Sequence, residues 1–487
     1  MKIGQTSIIV FVSQLIASAV GFLSTLYFAR TLGTEVMGLY ALVMTFSSWL
    51  MLSADLGIGE AMKKRISEGE GPNQGKFLVA AVVWTLSILG VLSLGLVLFE
   101  PWVTAYIDEF DVYVSTAVIW FVIAVLFARL FSRTVFRLLV AQRMVHIRGL
   151  LDIVNIGGKT LFQVGLVLLG YSLAGMLIGW VLGGIVVGVV GLRWITVSPA
   201  RPTREHFTSL FDYAKFSWLG KLESRAFNQV DILLLGVFVS AGSVGVYSVA
   251  WSIAKFIELF GSSISRTIFP EISFKSSQAS KQSTVGLIED ALAYTGLIAI
   301  PGLVGGSILA EHLLRLYGPE FRRGAAVLAL LILATLIYSY QSQFLNALNA
   351  LDRPDITFRI NAVFVALNVI LNLALISQFG IEGAAVATVF STVVGLFLSY
   401  VALSRLIDFD IPIREPTKQV ISAFVMGGVV WITLGAIETV DILNNALVVA
   451  LLVPSGAAVY FLTLFVISPP FRATVDRNVP IGLPFVS

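Results

Sequence analysis

Two stretches of the chain, LGTEVMGLYALVMTFSSWL (residues 32–50) and VSAGSVGVYSVAWSIAKFI (residues 239–257), repeat one pattern. Gly38-Leu39-Tyr40 aligns with Gly245-Val246-Tyr247, a displacement of 207 residues. Each stretch leaves one apolar run, turns through small residues and enters the next. A second echo joins NIGGKTLFQVGLVLLGYSLAG to NAVFVALNVILNLALISQFGIEG, with Asn155 and Asn361 206 apart and Gly175 and Gly383 208 apart. Two pairs at nearly one offset point to duplication of a unit of several helices.

Composition says what those helices cross. The chain has 487 residues, 57% hydrophobic and 13% charged, against about a quarter charged in soluble proteins. A bilayer core of about 30 Å needs about 20 apolar residues per helix. On that criterion fourteen spans are predicted, near 6–29, 38–59, 77–99, 113–132, 149–169, 172–192, 212–238, 243–265, 286–308, 324–349, 357–377, 382–403, 419–437 and 443–467. The expected fold is all-α and polytopic: an N-lobe of helices 1–6 (residues 1–199), a C-lobe of helices 7–12 (200–410), then helices 13 and 14 with the tail (411–487). Six is even, so both halves enter from the same side and the repeat is parallel.

The distribution of Lys and Arg tests the count, because a missed helix would scramble it. With both termini in the cytoplasm, 22 fall in cytoplasmic segments, 4 in outer ones and 6 within or at the edges of spans. The poor fit is the outer loop LYGPEFRRG, which carries three of those four. The first run resembles a signal peptide, yet it continues through VGFLSTLYFA, too long for an h-region, so an uncleaved helix is expected. Aromatic residues at span ends (Trp102, Tyr106, Tyr113, Trp194) read as interface anchors.

Several classes of function fall away. There is no cysteine, hence no disulfide or thiol nucleophile, and the three histidines are scattered, so no metal or cofactor is expected. No GxxxxGK[ST] loop is present, which argues against intrinsic ATP hydrolysis. No loop exceeds about 25 residues, too short for a soluble domain. Asp108-Glu-Phe-Asp111 and Asp408-Phe-Asp410 contain the acid-x-acid pattern of metal-dependent sugar transfer. Acidic membrane-edge loops are common, however, and neither has a domain to complete a site. The expectation is therefore not an enzyme, and no nucleic-acid partner.

The informative charges lie inside the apolar runs. In KLESRAFNQVD (residues 221–231), at about 100° per residue, Lys221, Ser224, Arg225, Asn228 and Asp231 fall on one arc of about 120°, and Glu223 points away. Lys159 lies mid-span in helix 5, Lys255 and Glu258 form an i,i+3 pair in helix 8, and Asp55 sits in helix 2. Such groups face a common interior or incur the lipid penalty. The bland reading is structural pairing, with Lys221 and Arg225 snorkelling to the interface. The functional reading makes Lys159, Lys221, Arg225 and Lys255 grips for a phosphate, which Arg holds bidentately and Lys as a point charge. Asp55, Asn228, Asp231 and Glu258 are then polar cavity or ion-coupling groups.

FARTLGTEVMGLYAL, VDILLLGVFVSAGSVGVYSVA, HLLRLYGPEFRRGAAVLALL and the long run NALNALDRPDITFRINAVFVALNVILNLALISQFGIEGAAVAT occur in that order. Together they resemble the polysaccharide flippases of the multidrug/oligosaccharidyl-lipid/polysaccharide exporter superfamily. The resemblance covers essentially the whole chain. It implies two six-helix lobes about a central cavity, alternating access, and a polyprenyl phosphate- or pyrophosphate-linked sugar as substrate, carried to the outer leaflet. It further implies a cell-membrane monomer, in the lipid bilayer and alongside glycosyltransferases. An Asp near the end of helix 7 is common in that family, and Asp231 occupies the place. The cavity arginines of the peptidoglycan-precursor branch have no counterpart here: helix 1 is uncharged between Lys2 and Arg30, and helix 2 carries only Asp55. Two alternatives stand beside this reading. One is a drug/cation antiporter of the same superfamily, disfavoured by the extra helix pair and the excess of cations. The other is a membrane glycosyltransferase or polymerase, disfavoured by the missing domains.

Overall fold

A computed structural model describes residues 3–69, 71–107, 109–217, 222–256, 281–440 and 444–478. Among the described residues every regular element is helical. An apolar chain in lipid has to satisfy its backbone within each segment, and helices do so. Among the described residues ten helices are long and apolar enough to cross a bilayer, and the chain is a polytopic membrane protein.

In chain order the first helices are α1 (Ile3–Asp55), α2 (Ile58–Glu68), α3 (Pro72–Leu98), α4 (Glu100–Tyr106), α5 (Phe110–Tyr113) and α6 (Val118–Ala141). They are followed by α7 (Val145–Leu168), α8 (Ser172–Leu192), α9 (Arg204–Ser217), α10 (Leu222–Phe238) and α11 (241–256). After the undescribed 257–280 come α12 (Lys281–Ile308), α13 (Ala310–Arg315), a 3₁₀ turn (Pro319–Gly324) and α14 (Ala325–Ala350). The last are α15 (Pro354–Ser404), α16 (Arg414–Val440), α17 (Asn445–Ile467) and α18 (Pro469–Asn478).

At 53 and 51 residues, α1 and α15 are each about twice the length of one crossing. Both are bent at a glycine, Gly33 with φ 79° and Gly380 with φ 56°. A side chain at either bend would be forced into the left-handed region. The predicted pairs 6–29/38–59 and 357–377/382–403 lie on the two sides of these bends. In α6 the expected range 113–132 is displaced: the helix runs nine residues further, and Arg133 and Arg137 are helical. Hydropathy falls at those charges, but Arg is a good helix former and the backbone continues through them.

A helix start recurs at the sequence offset. Val118 of α6 precedes Ala325 of α14 by 207. The chain divides into two compact units, Met1–Ser248 and Val249–Ser487.

In the first unit α1 packs on α6, α7, α8 and α10, and α6 and α7 pack on α8. Its α2, α3 and α9 gather around Ile58, Met62, Ile66, Phe77 and Leu210. His206 closes that cluster, its Nε2 donating to Asn73 Oδ1 (2.8 Å) and its Nδ1 accepting from the Thr203 hydroxyl (2.7 Å). The glycines of the sequence repeat meet here. A Cβ on Gly38 would lie 1.7 Å from Ala241 O, and a Cβ on Gly245 would lie 1.9 Å from Thr34 O. Since 34 and 241 also differ by 207, the two copies of the motif press backbone to backbone in a reciprocal contact. In the second unit α12 packs on α14 and α16, α14 on α15, and α16 on α17. Gln419 Nε2 ties α16 to α12 by donating to Ala293 O at 2.8 Å.

Candidate functional site

Charge and neutral polarity are segregated. Among the described residues the buried Asp, Glu, His, Lys and Arg side chains, Asp55, His206 and Asp231, all belong to the first unit. The buried polar groups of the second unit are uncharged, Gln341, Gln343, Asn368, Asn372, Thr388 and Thr392 among them.

The first unit carries a row of cations on α6. Arg129, Arg133 and Arg137 are spaced i,i+4,i+8 and therefore share one face. Arg137, nearest the helix end, is matched. Its guanidinium donates to both oxygens of Asp55, at 2.8 and 2.7 Å, and its Nε lies 3.4 Å from Glu60 Oε1. Gly59 makes room for it, since a Cβ there would collide with the guanidinium at 1.7 Å. Asp55 ends α1, immediately before Leu56 and Gly57 turn the chain through positive φ into α2.

The remaining cations have no such match. Arg129, Arg133, Lys159 and Arg225 have no carboxylate within 4.0 Å among the described residues. They lie close enough for mutual repulsion: Arg129 acts on Arg133, Arg225 and Lys159, and Arg133 acts on Arg225 and Lys159. Each finds weaker company. Arg225 of α10 donates to the carbonyl and hydroxyl oxygens of Ser48 on α1. Arg129 makes a long 3.4 Å contact with Met44 O, and its Nε is buried with no hydrogen-bond partner. Lys159 is held against α8, where a Cβ on Gly183 would lie 2.6 Å from its Cα. Its Nζ sits 3.9 Å from the centroid of Trp180, and the Arg129 guanidinium lies 4.9 Å from that same ring. The indole is therefore flanked by two cations.

The other candidates are placed as follows. Asp231 is buried and accepts a 2.5 Å hydrogen bond from Tyr247, the tyrosine of the repeat motif. Its counterpart Tyr40 instead accepts from Gln163 Nε2 at 3.1 Å. Asn228 is half-buried on α10. Lys255, in the second unit, lies 5.5 Å from the Trp251 ring one helical turn away. Lys221, Glu258 and Asp108 lie outside the described residues. Of the four expected phosphate grips, Lys159 and Arg225 thus meet in one cluster. That cluster contains Arg129 and Arg133, which the sequence reading left out of the site. Their i,i+4 spacing in FARLFSRTVFRLL was the available signal. Among the described residues no three His, Cys, Asp or Glu side chains gather as a metal site. In the LYGPEFRRG segment, Arg322 pairs with Glu311 of α13 at 2.8 Å.

The site thus sets cations into the apolar helices of a polytopic membrane protein. Residues 3–275 match the family described as polysaccharide biosynthesis protein. The probable flippase AglR of Haloferax volcanii is 31% identical over 98% of both chains. The probable low-salt glycan biosynthesis flippase Agl15 of the same organism is 28% identical, again over 98% of both. Among solved structures, the lipid II flippase MurJ in an inward closed conformation superposes with a TM-score of 0.79 at 17% identity, covering 96% of this chain and 100% of that one. An inward-facing multidrug resistance MATE transporter superposes at 0.65 and 13% identity, covering 80% and 95%. The chain belongs to the polysaccharide biosynthesis protein family.

Proposed function

We propose that this chain is a flippase that carries polyprenyl phosphate- or pyrophosphate-linked sugars from the cytoplasmic to the outer leaflet by alternating access, for surface glycan or glycoprotein synthesis. The observation that carries the reading is the surplus of cations in the first unit, where Lys159 and Arg225 stand without a carboxylate within 4.0 Å among the described residues. Intramembrane charge is expensive and persists where it has work to do. A lipid phosphate is the anion that reaches this depth with its own tail. The likeness to proteins described as glycan flippases supports the sugar-lipid class.

The same proposal takes fourteen crossings: α1 and α15 counted twice at their bends, α10 and α11 added to the remaining long helices, and both termini cytoplasmic. It takes the lobes as 1–199 and 200–410, with 411–487 appended. Lys221 and Lys255 extend the phosphate grip, and Asp55, Asn228, Asp231 and Glu258 supply polar or ion-coupling groups. The protein acts as a monomer beside glycosyltransferases.

The test is mass spectrometry of lipid-linked sugars, with surface glycans, in cells lacking the protein. Full-length lipid-linked sugar retained while surface glycan is lost is the expected result. Truncated lipid-linked sugar would make it an enzyme of assembly. Unchanged glycans with new drug sensitivity would make it an exporter.

A further inference from the structure

The arginines of α6 are not required by the duplicated scaffold. At the offset of 207 that relates α6 to α14, Arg129, Arg133 and Arg137 correspond to Leu336, Tyr340 and Phe344. The same helix thus packs without charge in the second unit. Of the three, only Arg137 has a carboxylate within 4.0 Å among the described residues. Arg129 has a buried Nε without a partner, which leaves a strong donor unsatisfied. Arg133 is exposed on the first unit, four residues along the same face. A half-buried guanidinium whose buried Nε has no partner, with an exposed neighbour aligned with it, suits an anion arriving from outside.

Trp180 explains how these cations tolerate one another. Arg129 and Arg133, each repelling Lys159, Arg225 and one another, would drive these cations apart. An indole face attracts cations through its quadrupole, most strongly where water is excluded. With Lys159 Nζ at 3.9 Å and the Arg129 guanidinium at 4.9 Å from its centroid, Trp180 partly neutralises both. It supplies no hydrogen-bond acceptor, so a phosphate outcompetes it.

We propose that Arg129 and Arg133, with Lys159 and Arg225, form the anion site of the first unit, and that Trp180 holds Arg129 and Lys159 until a diphosphate-bearing lipid headgroup displaces it. Four cations match a diphosphate better than a monophosphate diester, which brings a single charge. The identity of the ligand rests on the flippase reading; the site itself is tested without transport.

Purified full-length protein in nanodiscs is titrated with farnesyl diphosphate, farnesyl monophosphate and farnesol, with binding read directly and by thermal shift. The diphosphate is expected to bind most tightly and farnesol not to compete. Arg133→Gln, at an exposed position, and the double variant R129Q/R133Q lose about tenfold or more in diphosphate affinity. Trp180→Leu shows a lower unfolding temperature without ligand and about tenfold tighter diphosphate binding, because the competitor for two cations is gone. A purely structural Trp180 would lower stability and leave affinity unchanged or weaker, which overturns its role. Equal affinity in Arg133→Gln and wild type, or no diphosphate binding by wild type, overturns the site. Neither result touches the flippase reading, which stands on the glycan lipids of cells lacking the protein.

Discussion

The Asp55–Arg137 pair is the sharpest place to perturb the first unit. Both side chains are nearly enclosed, at 10% and 13% exposure, and the contact is bidentate at 2.7 and 2.8 Å. Removing one member of a buried pair leaves the other charged and desolvated, at about 3–5 kcal/mol. Asp55→Asn keeps the volume and one acceptor oxygen, and Glu60 remains 3.4 Å from Arg137 Nε. The expected loss therefore lies at the lower end, about 3 kcal/mol. For a unit of this size that is a fall of roughly 6–12 °C in unfolding temperature. Arg137→Leu combined with Asp55→Leu removes both charges and is expected to recover most of it, since an apolar pair of similar volume is often neutral. Fluorescence-detected thermal unfolding in detergent, with both variants beside the wild type, reads the result. An unchanged Asp55→Asn, or a double variant less stable than the single one, would refute the reasoning.

Three further outcomes are expected. Gly38→Leu and Gly245→Leu each prevent accumulation of folded protein, because even a Cβ would enter the facing carbonyl; normal yield of either on size exclusion would show that the contact yields. Arg225→Gln with Lys159→Gln abolishes surface-glycan export at normal protein abundance, and full export at that abundance would remove the phosphate role. Tyr113, outside the long helices, donates a short hydrogen bond to Glu35 that pushes its phenol up to about 12, with burial and nearby acids adding. A raised folded value means that this stabilisation is complete below the unfolded phenol's range near 10 and is lost as pH rises through about 12. Ultraviolet titration, as the difference between wild type and Tyr113→Phe, should place the midpoint there, and Glu35→Gln should return it towards 10.

The helices were legible because lipid imposes a length and an apolar composition that the sequence displays directly. The duplication was legible because Gly38 and Gly245 are constrained by the same backbone contact, one against Ala241 and the other against Thr34, so the two copies had to keep it. Lys159 and Arg225 stood out as cations inside apolar runs. Arg133 and Arg137 did not. They follow the point where hydropathy falls, and a span read by hydropathy ends there although the helix continues to Ala141. The pairing of Asp55 with Arg137 joins residues 82 apart on different helices, and no local pattern announces it. Nor could Trp180 be recognised from sequence, since its part depends on Gly183 admitting Lys159 to the face of α8.

The asymmetry between the units bears on mechanism more than the symmetry does. A duplicated scaffold starts with equal halves, and two alike halves would hold a charged headgroup equally. Here α6 carries three arginines where α14 carries Leu336, Tyr340 and Phe344, and Trp180 stands where an offset of 208 gives Thr388. The buried polar groups of the second unit are neutral, with Asn368 Nδ2 reaching Thr388 Oγ1 at 3.4 Å and Asn372 Nδ2 bonded to Asn368 O at 2.9 Å. Neutral amides and hydroxyls satisfy one another in small rearrangements at about 1 kcal/mol per bond, whereas breaking a buried ion pair costs several times that. On the proposed reading, a headgroup held by the cations of the first unit leaves the second unit, whose buried polar groups among the described residues are neutral, to change its packing. On this account, moving the arginines of α6 to positions 336 and 340 would fail to restore export lost by R129Q/R133Q, even with total charge conserved. Restored export in that charge-swapped variant would mean that net charge alone, and not the unit that bears it, governs the headgroup.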